Sequence, residues 1–143
     1  MDIEYLKTYF ENRNNLKSSH AKGMTLPEIE GLELEMNKGK PFPKALREFL
    51  FIGGVSNKLG INTPKNFKTF RDSFDKEIRK RGEDITQPYF VFDNDNDGKT
   101  FGIIYLNEGD DPQPWNASIS EGYDNDIWDD EDENPENWKL IKT

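Results

Sequence analysis

The spacing of the apolar residues changes character once along this chain, at Gly82, and that change limits the fold more than any other feature. Before it, Phe67, Phe70, Phe74 and Ile78 lie at i, i+3, i+7 and i+11, a stripe on one face of a helix. After it, Pro88–Phe92 (Pro-Tyr-Phe-Val-Phe) and Thr100–Leu106 (Thr-Phe-Gly-Ile-Ile-Tyr-Leu) are short, aromatic and β-branched runs, the composition of strands. Helices followed by strands, rather than alternating with them, predict an α+β domain. In it, N-terminal helices pack on a mostly antiparallel sheet of four or more strands.

The helical part divides at its punctuation. Ile3, Leu6, Tyr9, Phe10 and Leu16 make an approximate stripe over 3–16, and residues 17–24 read as a linker. Thr25-Leu26-Pro27-Glu28 is a helix start: Thr25 can cap, Glu28 stands where a capping box needs it, and Pro27 falls in the first turn. Leu26, Ile29, Leu32 and Met36 continue that helix, with Gly39 near its end. Pro43 opens a second helix with Leu46, Phe49 and Leu50 on its apolar face and Arg47 and Glu48 outside. Gly53-Gly54 stops it by accepting the left-handed conformation. A third helix is predicted from about Pro64 to Arg81. Phe49, Phe70, Phe74 and Phe101 are expected in the core.

Asp93-Asn94-Asp95-Asn96-Asp97-Gly98 separates the first two strands and reads as a hairpin turn. It also resembles a calcium loop, with oxygens at positions 1, 3 and 5 and Gly at 6. Position 12, however, is Ile104, which supplies no bidentate carboxylate. A turn in which short acidic side chains accept backbone hydrogen bonds is the better reading, and no metal site is expected. Further strands are predicted around Trp115–Ile119 and Trp138–Ile141.

Charge is divided along the chain. Residues 1–99 hold 17 Lys and Arg against 16 Asp and Glu, whereas residues 100–138 hold 12 Asp and Glu and no Lys or Arg. A neutral body with one acidic segment argues against nucleic acid and anionic membranes, which attract basic patches, and favours a basic protein partner. The plainer reading of such a run is a solvated loop that keeps the protein soluble. No stretch approaches the ~20 apolar residues of a membrane-spanning helix. Met1–Phe10 carries Asp2, Glu4 and Lys7 and lacks the apolar core of a secretory signal, so the expectation is a cytoplasmic protein.

No catalytic constellation appears: carboxylates are numerous enough for a glycosidase-type pair, but they crowd one acidic segment, where mutual repulsion rather than a poised pair is expected. There is no cysteine, and the single histidine, His20, falls in the linker, so nucleophile and base have no paired candidates. Gly53-Gly54 is not followed by the Lys-Ser/Thr of a phosphate-binding loop. A non-enzymatic protein without cofactors is expected.

Several segments in order resemble the SUKH superfamily: Thr25-Leu-Pro-Glu-Ile-Glu-Gly-Leu-Glu, then Phe42-Pro43, Leu46-Arg47-Glu48-Phe49-Leu50, and Gly53-Gly54. Downstream, Phe90-Val91-Phe92-Asp93 with Gly98 and Phe101-Gly102-Ile103 resembles the superfamily's central hairpin. The likeness spans about residues 25–119 and implies one domain over 1–143, with helices packed on an antiparallel sheet. Members of the superfamily include bacterial immunity proteins, often against nuclease toxins, and fungal regulators of cell-wall synthesis. Two departures stand out: the helix at 64–81 with its preceding loop is a long insertion, and the sequence stops at Leu140-Ile141-Lys142-Thr143, where a closing helix commonly starts.

The resemblance and the charge pattern together imply an immunity protein that neutralises a polymorphic toxin by occluding its basic surface. The alternative is a scaffold or regulatory interaction module of the same fold. The expected binding surface is the acidic segment 108–133: Glu108, Asp110, Asp111, Asp124, Asp126, Asp129, Asp130, Asp132 and Glu133, with Trp128 as anchor. Trp and Tyr are enriched at interface hot spots and rare in purely solvating tails. The competing reading folds Trp128 back as a local plug in an acidic loop, while Trp115, at the start of a strand-like run, is expected to face the core.

Overall fold

The computed structural model describes residues 1–7, 22–56, 66–80, 82, 85–95 and 99–118. Among these residues three helices, α1 (Leu26–Met36), α2 (Lys44–Gly53) and α3 (Phe67–Lys80), precede three strands, β1 (Tyr89–Asp95), β2 (Thr100–Tyr105) and β3 (Trp115–Ser118). The strands form one antiparallel sheet in the order β1-β2-β3, so the architecture is α+β. Most of the helix expected over 3–16, and the strand expected at 138–141, lie outside the described residues.

Each helix starts where a side chain or a neighbouring loop meets its free amides. At α1 the Thr25 hydroxyl accepts from the Glu28 N–H at 3.3 Å, and the Glu28 carboxylate accepts from the Thr25 N–H at 3.1 Å, a complete capping box. The helix leaves through Lys38 (φ 55°) and Gly39 (φ 81°), and the Gly39 N–H returns to the Glu33 carbonyl at 3.0 Å. Gly39 adopts that conformation freely. For Lys38 it costs roughly 1–2 kcal/mol. The α2 N-terminus follows Pro43, which offers no capping side chain. There the Ala45 N–H donates instead to the Asp110 carbonyl at 2.9 Å, across a large gap in sequence. At α3 the Asn66 side-chain oxygen accepts from the Lys68 N–H at 2.9 Å, and Gly82 (φ 73°) closes the far end.

One glycine acts differently from expectation. Gly54 has φ −69° and ψ −18°, ordinary right-handed backbone, so it does not end α2 by turning left-handed. It is small because space is short: an added Cβ would stand 2.6 Å from the Leu50 carbonyl oxygen and 2.9 Å from Met24 Cγ.

The sheet is covered on both faces, whereas antiparallel sheets commonly leave one face wet. On one face Phe90, Phe92, Ile104 and Leu106 join Ile29, Leu32 and Met36 of α1 and Leu46, Phe49 and Leu50 of α2. On the other, Val91, Phe101, Ile103 and Ala117 pack with Phe74 and Ile78 of α3. The helix α3 reaches both layers, since Phe67 lies 5.2 Å from Phe90 and Phe74 lies 5.0 Å from Phe101, measured between ring centroids. Phe70 falls between the two layers and stays partly exposed, so the expectation that it is buried like Phe49, Phe74 and Phe101 is corrected.

The hairpin also differs from its sequence reading. Strand β1 continues through Asp93, Asn94 and Asp95, residues expected in the turn. Its register steps from Val91↔Ile103 to Asp93↔Gly102, leaving Phe92 as the extra residue of a bulge. Phe92 lies in the same core layer as Phe90, two residues before it, as strand alternation places it. Gly102 makes room, since a Cβ there would stand 2.7 Å from the tip of the Phe92 ring. Asp93, expected as a turn residue, is buried opposite Gly102.

Candidate functional site

The acidic segment begins on the connection between β2 and β3. That connection is held at several points. The Leu106 N–H donates to the Pro88 carbonyl at 2.9 Å, and the Gln87 amide donates to the Asn107 side-chain oxygen at 2.6 Å. Gly109 turns at φ 82°, the Asp110 carbonyl takes the Ala45 N–H, and Pro112 and Pro114 are buried. On this pinned backbone Glu108, Asp110 and Asp111 are all exposed. Three of the ten residues expected to bind a partner therefore stand on one ordered turn at the N-terminus of α2. The other seven, Asp124, Asp126, Trp128, Asp129, Asp130, Asp132 and Glu133, lie outside the described residues.

The N-terminal segment packs beside this turn. Leu6 is fully buried, and the Tyr5 and Leu6 N–H groups donate to one oxygen of Glu48 at 2.8 and 3.0 Å. Sequence reasoning puts Glu48 outside α2, yet its side chain is wholly enclosed, because it serves as the acceptor for these two backbone donors. Glu4 pairs with Lys44 at 2.7 Å, and that hydrogen bond and charge hold the Glu4 carboxyl below its ordinary value while raising Lys44. Burial pushes the Tyr5 phenol up, assisted by the negative charges of Glu4, Asp110 and Asp111. The first acids of the segment and the N-terminal strap thus share one local field.

That field is not purely acidic. Asp110 lines a cleft of about 370 Å³ together with Met1, Asp2, Phe42, Lys44 and Arg47. Arg47 is itself held from below: its Nε lies 3.1 Å from Glu33, whose buried carboxylate also accepts the Phe42 N–H at 2.6 Å. The sequence signal for Glu33 and Glu48 is weak, because both sit in helices where a charged residue ordinarily faces water.

Trp115 pairs with Ile103 and is partly buried, and its indole N–H, enclosed at the start of β3, finds no hydrogen-bond partner among the described residues. The first position of the calcium-like loop, Asp93, is committed to the sheet, and Asp97 and Gly98 lie outside the described residues. Among the described residues no three His, Cys, Asp or Glu side chains converge as a metal site, and no helix is long and apolar enough to cross a membrane. His20 lies outside the described residues. Compared with known proteins, the chain matches no family model, no curated protein and no solved structure.

Proposed function

We propose that this chain is a non-enzymatic, cytoplasmic, SUKH-like immunity protein that neutralises a toxin by covering its basic surface with the acidic segment 108–133. The observation that carries the reading is the turn at Glu108–Asp111, three exposed carboxylates on a backbone tied to α2 through the Asp110–Ala45 hydrogen bond. Carboxylates held in place lose little freedom when they meet Lys and Arg, so more of the pairing energy appears as affinity. The order of the motifs between residues 25 and 119 supports the family. In this proposal the sheet gains its fourth strand from residues 138–141, beneath the N-terminal helices, and 1–143 is one domain.

The mechanism is occlusion. Carboxylates from Glu108 to Glu133 pair with the cations that a nuclease toxin uses to hold phosphates, and Trp128 fills a pocket at the centre of the contact. Long-range attraction speeds association and makes it sensitive to salt, whereas a buried anchor governs dissociation.

The test is whether a polymorphic toxin gene lies immediately upstream, and then protection against that toxin together with binding kinetics at low and high salt. Neutralising Asp129, Asp130, Asp132 and Glu133, or Glu108, Asp110 and Asp111, to Asn and Gln should slow association. Trp128→Ala should speed dissociation. Variants that all protect and bind like the parent at both salt concentrations would place the interface elsewhere.

A further inference from the structure

Away from the acidic turn, three cations from two elements line one cleft. Lys38 and Lys40 come from the loop after α1, and Arg71 comes from α3. They line a cleft of about 350 Å³ with Met36, Ile85 and Tyr89. In a chain of net charge −9, none of the described lining residues of this cleft is acidic. Neither lysine has an ion-pair partner among the described residues. Arg71 has only a loose contact with its neighbour Asp72, at 3.8 Å.

The loop that carries the lysines is built rather than slack. The Asn37 side-chain amide donates to the carbonyls of Lys40 and Pro41 at 3.0 and 3.2 Å, and the Lys40 N–H donates to the Asn37 carbonyl at 3.0 Å. Within that frame Lys38, at φ 55°, is the one non-glycine residue with positive φ among those described. Glycine or asparagine would sit there with less strain. Strain that persists at a residue facing a cleft is a pointer to use. The negative end of α1 explains an attraction for a lysine nearby. It does not explain why Arg71 of another helix lines the same cleft.

The chemistry of the cleft is specific in kind. Tyr89 presents a phenol that burial keeps protonated, with its titration pushed up to about 12, so it remains a hydroxyl donor through the neutral range. Thr86 and Gln87 add a hydroxyl and an amide to the rim, and Met36, Ile85 and Pro88 supply an apolar side. A few convergent polar groups on an apolar wall, in a volume of this size, suit a small molecule. Three cations and neutral donors lining one cleft suit a doubly charged oxyanion.

We propose that this cleft binds a small organic phosphomonoester, its phosphate held by Lys38, Lys40 and Arg71 and its apolar part against Met36, Ile85 and Pro88. The site is separate from the acidic turn, and the proposal does not depend on toxin binding.

The probe is phenyl phosphate, titrated calorimetrically into the full chain at constant ionic strength, beside inorganic phosphate and a short poly-glutamate peptide. Saturable binding of phenyl phosphate, tighter than that of inorganic phosphate, is expected. Arg71→Gln and Lys38→Gly should each weaken it by roughly tenfold or more, while Lys76→Gln, an exposed cation on α3, should not. Lys38→Gly also relieves the left-handed backbone, so its melting midpoint should match or exceed the parent's and its loss of affinity is not a loss of fold. Absence of saturable binding, equal weakening by Lys76→Gln, or unchanged affinity in Arg71→Gln and Lys38→Gly would overturn the site. Equal affinity for inorganic phosphate, or tighter binding of the peptide, would overturn its assignment to a phosphomonoester.

Discussion

The placement of α3 can be tested by truncating two phenylalanines that its sequence pattern treats alike. Phe74 is fully buried, with the Phe101 ring 5.0 Å away at 60° and the Tyr89 ring 5.7 Å away at 72°. Phe74→Ala removes a whole ring from a layer whose other buried members, among the described residues, are Ile78, Val91, Phe101, Ile103 and Ala117. Loss of transfer free energy and the cavity left behind amount to about 3–5 kcal/mol, of which two edge-on aromatic contacts contribute roughly 1–3 kcal/mol. For a chain of this length the melting midpoint moves by roughly 3 °C per kcal/mol, so a fall of about 10–15 °C is expected. Phe70 stands at the margin of both layers, edge-on to Phe67 at 6.2 Å, and is partly exposed already. Phe70→Ala should lose only about 1–2 kcal/mol. Urea unfolding of both variants measures the difference, and an unchanged slope with denaturant shows that stability, rather than the unfolded state, has moved. Equal losses at the two positions would mean that α3 is rotated from the orientation described.

Two further outcomes follow from buried groups. Glu48→Ala leaves the Tyr5 and Leu6 amides without their acceptor, at about 1–3 kcal/mol for each orphaned donor, whereas Glu48→Gln keeps an oxygen in place. Hydrogen exchange at those two amides should accelerate in the alanine variant and stay slow in the glutamine variant, and equal rates in both would refute the role of Glu48 as their acceptor. Burial raises the Tyr89 phenol to about 12, so the neutral form is favoured by folding. Its contribution is complete below pH 10 and is lost as pH rises from there through about 12. Tyr89→Phe should therefore flatten the alkaline decline in stability over that window, and an identical decline would exclude burial of the phenol as its cause.

Much of the fold is legible in the sequence because short-range signals and burial agree. The capping box at Thr25 and Glu28, the stripe on α3 and the aromatic runs of β1 and β2 each report a local preference that the tertiary structure keeps. The misreadings have one origin in common. Helical spacing assigns Glu48 to solvent because a carboxylate on an amphipathic helix usually faces water, but its partners are amides 42 and 43 residues away. The same spacing assigns Phe70 to the core, yet it states only which face of α3 the residue occupies, not how far the neighbouring layers extend. The β1 bulge is invisible in the sequence because it is set by the fit of Phe92 over Gly102, a contact between strands.

The candidate sites show the same boundary between chain and space. Counting charge along the sequence separates a neutral body from an acidic segment without a single Lys or Arg over 100–138. The fold brings Lys44 and Arg47 of the neutral body to the cleft that Asp110 lines, so the first part of the segment has cations as neighbours. Their presence weakens the repulsion among Glu4, Asp110 and Asp111 around Tyr5, which a run of like charges would otherwise feel in full. The same folding brings Lys38, Lys40 and Arg71, three scattered members of a body with almost no net charge, to one cleft. Near-neutrality over a long segment therefore says nothing about whether its charges are mixed or sorted. Only the packing of α1 and α3 against the sheet sorts them, and that is why the acidic run is legible from sequence alone while the basic cleft emerges only in the folded chain.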